Sequence, residues 1–156
     1  MRSVALASYF LLLAGPVLAQ DTTSAKPAAL TWAPAPPAFP KGAKMAIVSG
    51  DPSQAQPFEI ELSMPNGYKI APHFHPTDET IEVLSGTFQV GMGDKFDLKE
   101  TKAMKKGDKG SMAAQQHHFA MAKGKTIVDV KSTGPFAMTY VNPADDPQHH
   151  KAKAGT

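Results

Sequence analysis

The stretch GYKIAPHFHPTDETIEVLSG, residues 67–86, decides how this chain is read. Two histidines, His73 and His75, stand one residue apart ahead of a proline, and Glu79 follows three positions after that proline. In an extended strand alternate side chains share a face, so the two imidazoles point the same way, about 6.6 Å apart along the strand. That separation suits two adjacent corners of one cation's coordination shell. Pro76 lacks an amide donor and suits the end of a ladder. The short connection 76–78 lets the chain reverse, so that Glu79 opens the next strand facing the histidines. Ile81 and Val83 share the face of Glu79, the face expected to line an interior. Glu82 points the other way and is the weaker ligand candidate.

Taken alone, an H-x-H pair is a weak pattern, because two exposed histidines on a strand arise by chance. Here the full spacing is Gly67, five residues, His73-x-His75, three residues, Glu79, six residues, Gly86. It resembles the first motif of the cupin superfamily at every fixed position, with both glycines where strands must turn. A second stretch, GDKGSMAAQQHHFAMA (107–122), resembles the second cupin motif. Gly107 with Asp108 opens it and His118 falls at the histidine position. Ala113, Gln115 and Ala122 stand where the family carries proline, glycine and asparagine, which leaves the loop geometry ahead of His118 open. By alternation His117 faces away from His118, so one of the pair is a ligand and the other is not.

The resemblance spans about residues 45–141. It implies a small, single-domain, all-β cupin: a jelly-roll β-barrel in which His73, His75, Glu79 and His118 converge on one divalent transition metal. Three imidazoles and a carboxylate suit Mn, Fe, Cu, Ni or Zn. With no cysteine in the chain, a soft Cu(I)-only site and thiol catalysis are both disfavoured.

The periodicity of the chain agrees with such a barrel. FEIELSM (58–64) alternates, with Phe58, Ile60, Leu62 and Met64 on one face and Glu59, Glu61 and Ser63 on the other. TIEVLSG (80–86), TFQVGMG (87–93), KTIVDVKS (125–132) and FAMTYV (136–141) read as further short strands bounded by turn residues. Only KFDLKETKAM (95–104) suits a helical turn. Met92, Met112, Met121 and Met138 are scattered among these strands, and core packing is the role expected of them. GMGDKFD has acidic residues without calcium-loop spacing. Neither a nucleophile elbow nor a phosphate loop is present.

Ahead of the barrel, residues 1–19 carry Arg2, an apolar run from Val4 to about Leu18 and a VLA ending, the pattern of a signal peptide cleaved after Ala19 or one residue later. The run is shorter than the roughly 20 residues that span a bilayer. A periplasmic or secreted protein is expected, free of the membrane after cleavage. Residues 20–44, rich in Pro and Ala, read as an extended arm, with Trp32 as its anchor on the domain or on a second subunit, and a homodimer is expected from that arm by analogy. The barrel is assigned to 45–144 and a solvated tail to 145–156, where His149 and His150 lie.

Arg2 is the only arginine, so after cleavage 15 lysines face 14 acidic residues. A near-neutral chain without a guanidinium is a poor partner for nucleic acid or phosphate. Two functions stay open: a non-catalytic cupin binding a small molecule at a metal, or a metal-dependent oxidoreductase or dioxygenase acting on a small organic or carbohydrate-derived substrate. The second needs a polar group beside the metal that is not a ligand, for which Gln89, Gln115, Gln116 and Tyr140 are the candidates.

Overall fold

The computed structural model describes residues 29–149, so the signal-peptide assignment, the first part of the arm (20–28) and most of the tail, His150 included, lie outside the described residues. Among the described residues there are nine strands: β1 (Ala33–Pro34), β2 (Lys44–Ser49), β3 (Pro57–Met64), β4 (Lys69–Phe74), β5 (Glu79–Met92), β6 (Thr101–Lys105), β7 (Lys109–Met112), β8 (His118–Thr133) and β9 (Thr139–Tyr140). All pairings are antiparallel.

The architecture turns on two long, bent strands. The first half of β5 pairs with β7 on one side and with the second half of β8 on the other, and that half of β8 continues to β3, β2 and β1. Beyond the bend, β5 pairs with β6 and with the first half of β8, which continues to β4 and β9. Two sheets share the same two strands and curl around one core, as a jelly roll does.

The core follows from alternation. In β3, Phe58, Ile60, Leu62 and Met64 are all buried. In β5 the buried set shifts from Ile81 and Val83 to Phe88 and Val90, odd positions to even, with register irregularities around Ser85. An extra residue at the bend keeps the apolar face inward in both sheets. The sequence reading places a turn between two strands at Gly86, whereas β5 runs through it. Gly86 has φ +78°, and a Cβ there would sit 2.5 Å from the carbonyl oxygen of Lys125. Likewise β8 is one strand from His118 onward, of which KTIVDVKS is only the second half, FAMTYV contributes only β9, and 95–104 forms a single 3-10 turn (Leu98–Glu100) before β6.

Ahead of β2, segment 35–43 packs on the barrel, with the Tyr140 and Tyr68 hydroxyls donating to the Ala38 and Pro40 carbonyls. Phe39 and Ala43 join the core, while Trp32 stays half-exposed, so the buried aromatic of this region is Phe39. Of the four scattered methionines, Met112 is buried, but Met92 is 49 % exposed and does not pack in the core.

Replacing Gly86 by alanine imposes a left-handed φ on a residue with a Cβ and drives that Cβ into backbone. A loss of at least about 2 kcal/mol is expected, read as a lower urea midpoint at unchanged slope.

Candidate metal centre

β4 delivers His73 and β8 delivers His118 directly opposite each other in the antiparallel ladder, with ring centroids 4.2 Å apart. His75 lies just past the end of β4, and its ring is 5.1 Å from that of His73 and 5.3 Å from that of His118. Ligating nitrogens of the three histidines all lie within 4.8 Å of one another. Glu79, the first residue of β5, places Oε2 3.7 Å from His75 Nε2 and 3.6 Å from His118 Nε2. All four side chains are buried. Phe74, between the two histidines, points the other way and stacks on His117.

Each imidazole has one nitrogen committed elsewhere. His73 Nδ1 lies 2.8 Å from the carbonyl oxygen of Ala71, His75 Nδ1 2.8 Å from that of Ala137, and His118 Nδ1 2.9 Å from that of Gln116. A carbonyl can only accept, so Nδ1 carries the proton in all three rings and a neutral ring has a bare Nε2. Burial holds His73 well below the usual imidazole range, and the neighbouring His118 and His75 add to that, against the pull of the Ala71 carbonyl. The protein thus assembles three nitrogen donors and a carboxylate in a buried interior, the donor chemistry a first-row divalent ion takes.

The loop ahead of His118 is held by hydrogen bonds at the positions where the sequence departs from the cupin pattern. Gln115, at the glycine position, adopts φ +62°, the left-handed conformation glycine enters freely. For a residue with a Cβ this costs about 1–2 kcal/mol. The Gln115 amide offsets part of it by donating to the His75 carbonyl at 2.8 Å. Ala113, at the proline position, has an amide that proline lacks, and that amide donates to Gln116 Oε1 at 3.0 Å. The Ala114 amide donates to Asp78 Oδ1 at 2.8 Å, tying this loop to the one between His75 and Glu79.

The other residues singled out from sequence point elsewhere. His117 faces outward and its Nδ1 meets Asp94 Oδ1 at 2.6 Å, while Glu82 pairs with Lys109 at 2.9 Å. Gln89 donates to Thr101, Gln115 to the His75 carbonyl, and Gln116 accepts from Ala113. The Tyr140 hydroxyl donates to the Ala38 carbonyl. His149 is exposed beside Asp146. None of the four candidate non-ligand polar groups lines the cavity at the histidines, which has a volume of about 30 Å³. That is room for one or two waters. Apart from the three histidines and Glu79 its wall is apolar. Sequence reasoning missed Phe39 and Phe136 in that wall. It also missed the carbonyls of Ala71, Gln116 and Ala137, since main-chain acceptors leave no mark on residue type.

The tautomers are directly measurable. In metal-free protein at pH 8, long-range nitrogen–proton correlation spectra are expected to show Nδ1 protonated and Nε2 bare for His73, His75 and His118. Nε2-protonated rings would contradict the geometry.

No protein-family model matches this chain, and no curated protein does. Solved structures do. The polyketide cyclase RemF from Streptomyces resistomycificus is 16% identical over 70% of this chain and 78% of its own, with a TM-score of 0.57. An RmlC-like cupin from Shewanella frigidimarina is 19% identical over 60% of this chain and 78% of its own, at TM-score 0.50. A variant of salicylate 1,2-dioxygenase from Pseudoaminobacter salicylatoxidans, in complex with gentisate, is 15% identical over 63% of this chain but only 29% of its own, at TM-score 0.52. At these identities the likeness is one of architecture, and it agrees with the two curled sheets and the buried histidine cluster: this chain has the cupin fold.

Proposed function

We propose that this protein is an exported, mononuclear metal-binding cupin in which His73, His75, Glu79 and His118 hold one divalent transition metal, and that a small molecule binds beside it. The observation that carries the reading is the set of three Nδ1–carbonyl hydrogen bonds, which leaves three Nε2 lone pairs facing a shared, buried point. An ion held there supplies Lewis acidity or, if redox-active, electron transfer to a small molecule. The chain itself contributes orientation, exclusion of water by the apolar wall, and one carboxylate. Among the described residues Glu79 is the only acid lining the cavity, so with the ion on the three Nε2 atoms a proton handled at the site is held at its carboxylate.

A second reading is a metal-dependent oxidoreductase or dioxygenase acting on a small organic or carbohydrate-derived substrate. The largely apolar wall favours it, because a site that admits little water shields a reactive centre. The solved relatives carry different activities on one architecture, so the fold itself does not choose.

Protein purified from its native host is expected to contain about one equivalent of Mn, Fe, Cu, Ni or Zn, and His75→Ala less than about a tenth of that. Chelation should lower the melting temperature of the wild type by several degrees and leave the variant unmoved. Equal trace metal in both proteins would sink the reading. With a redox metal bound, oxygen uptake on adding candidate organic substrates separates the second reading from the first.

Export and pairing of two copies belong to the same proposal. Among the described residues, β2 has no partner on its outer edge beyond Lys44 and Met45, and Ile47 and Val48 are exposed. A mature N-terminus at Gln20 or Asp21, and a sedimentation mass of two chains at micromolar concentration, are the expected results. An uncleaved chain would refute the export, and a one-chain mass would refute the pairing.

A further inference from the structure

A cavity of about 30 Å³ holds the histidine cluster, yet nothing the size of an aromatic ring or a sugar fits into such a volume. A larger molecule reaches the histidines only if a lining group moves, and the lining residues limit which one. Most belong to β3, β4, β5 and β8, whose hydrogen-bonded ladders close the wall. Besides His75, three come from outside the strands: Phe39, Phe136 and Met138.

These three are not equally free to move. Phe136 and Met138 flank Ala137, whose carbonyl holds His75 Nδ1 at 2.8 Å, so displacing them disturbs a ligand. Phe39 sits in a surface turn closed by its own amide donating to the Pro36 carbonyl at 2.9 Å. Its ring lies parallel to that of Phe136, with centroids 5.8 Å apart and an interplanar angle of 3°, and Phe136 in turn lies 5.3 Å from the His75 ring. The carbonyls on both sides of Phe39 are each held by a tyrosine hydroxyl: Tyr140 donates to Ala38 at 2.8 Å and Tyr68 donates to Pro40 at 2.6 Å. Breaking those two hydrogen bonds leaves all three imidazole–carbonyl bonds intact, although Tyr140 itself lies opposite His73 in the β4–β9 ladder.

We infer that Phe39 is a size-selecting plug: clamped by Tyr68 and Tyr140, it limits the site to molecules of a few heavy atoms, and its withdrawal admits larger ones. Phe39 is therefore a specificity-determining residue of the centre. This inference rests on the metal reading above, but goes beyond it by naming which residue decides what reaches the metal.

The test uses the full mature chain loaded with Co(II), whose visible absorption reports ligands added to the ion, titrated with formate and with benzoate. Both offer the same carboxylate donor and differ in bulk. Cobalt uptake is measured first. In the wild type, formate should perturb the spectrum far more readily than benzoate. In Phe39→Ala the benzoate-to-formate affinity ratio should rise about tenfold or more. Phe39→Leu, which keeps an apolar group in the core, should shift the ratio the same way by less, and it carries the test should the alanine variant fail to fold. An unchanged ratio in a variant that binds one cobalt overturns the plug and leaves the metal centre standing. Absence of cobalt from the wild type overturns both.

Discussion

Three main-chain carbonyls hold this site together. Ala71, Gln116 and Ala137 each accept one imidazole Nδ1–H, and they come from β4, from the loop ahead of β8 and from the connection to β9. An imidazole without such a partner can turn about its side-chain bonds and take either tautomer. With one, its free lone pair has a single direction. Because the acceptors lie on separate segments, the donor set exists only once those segments have assembled, and metal affinity in such a site is coupled to folding.

The same coupling runs through the loops. Asp78 accepts from the Ala114 amide and the His75 carbonyl accepts from that of Gln115, so the segment carrying two histidines and Glu79 is tied to the segment carrying His118. The second motif is braced in the same way where it departs from the cupin pattern. A residue with a Cβ occupies the left-handed turn position, held by a hydrogen bond. An alanine replaces a proline, and its freed amide is satisfied by Gln116.

What the site offers chemically is limited by what was left out of it. Gln89, Gln115, Gln116 and Tyr140 all spend their polar atoms elsewhere, so only the imidazoles and Glu79 break the apolar wall. For the proposed centre, such a wall favours selection by size over selection by hydrogen bonding.

Much of this was written along the chain. The alternation of β3 and of the first half of β5 announced the core face, and the spacing from Gly67 to Gly86 placed three of the four site residues within seven positions of one another. Periodicity and local spacing are readable because they depend on neighbours in sequence. The continuity of β5 through Gly86 was not readable, because a left-handed glycine serves a turn and a bend equally well, and only pairing with β8 decides between them. Nor was the Ala137 carbonyl, 62 residues from the His75 it orients, or the Ala38 carbonyl, 102 residues from the Tyr140 that clamps it. By itself the sequence determined an all-β barrel and which side chains gather at its centre. Tertiary structure alone decided which nitrogen of each ring is free, how small the cavity is and what closes it, because those properties arise from contacts between segments that meet only when the barrel shuts.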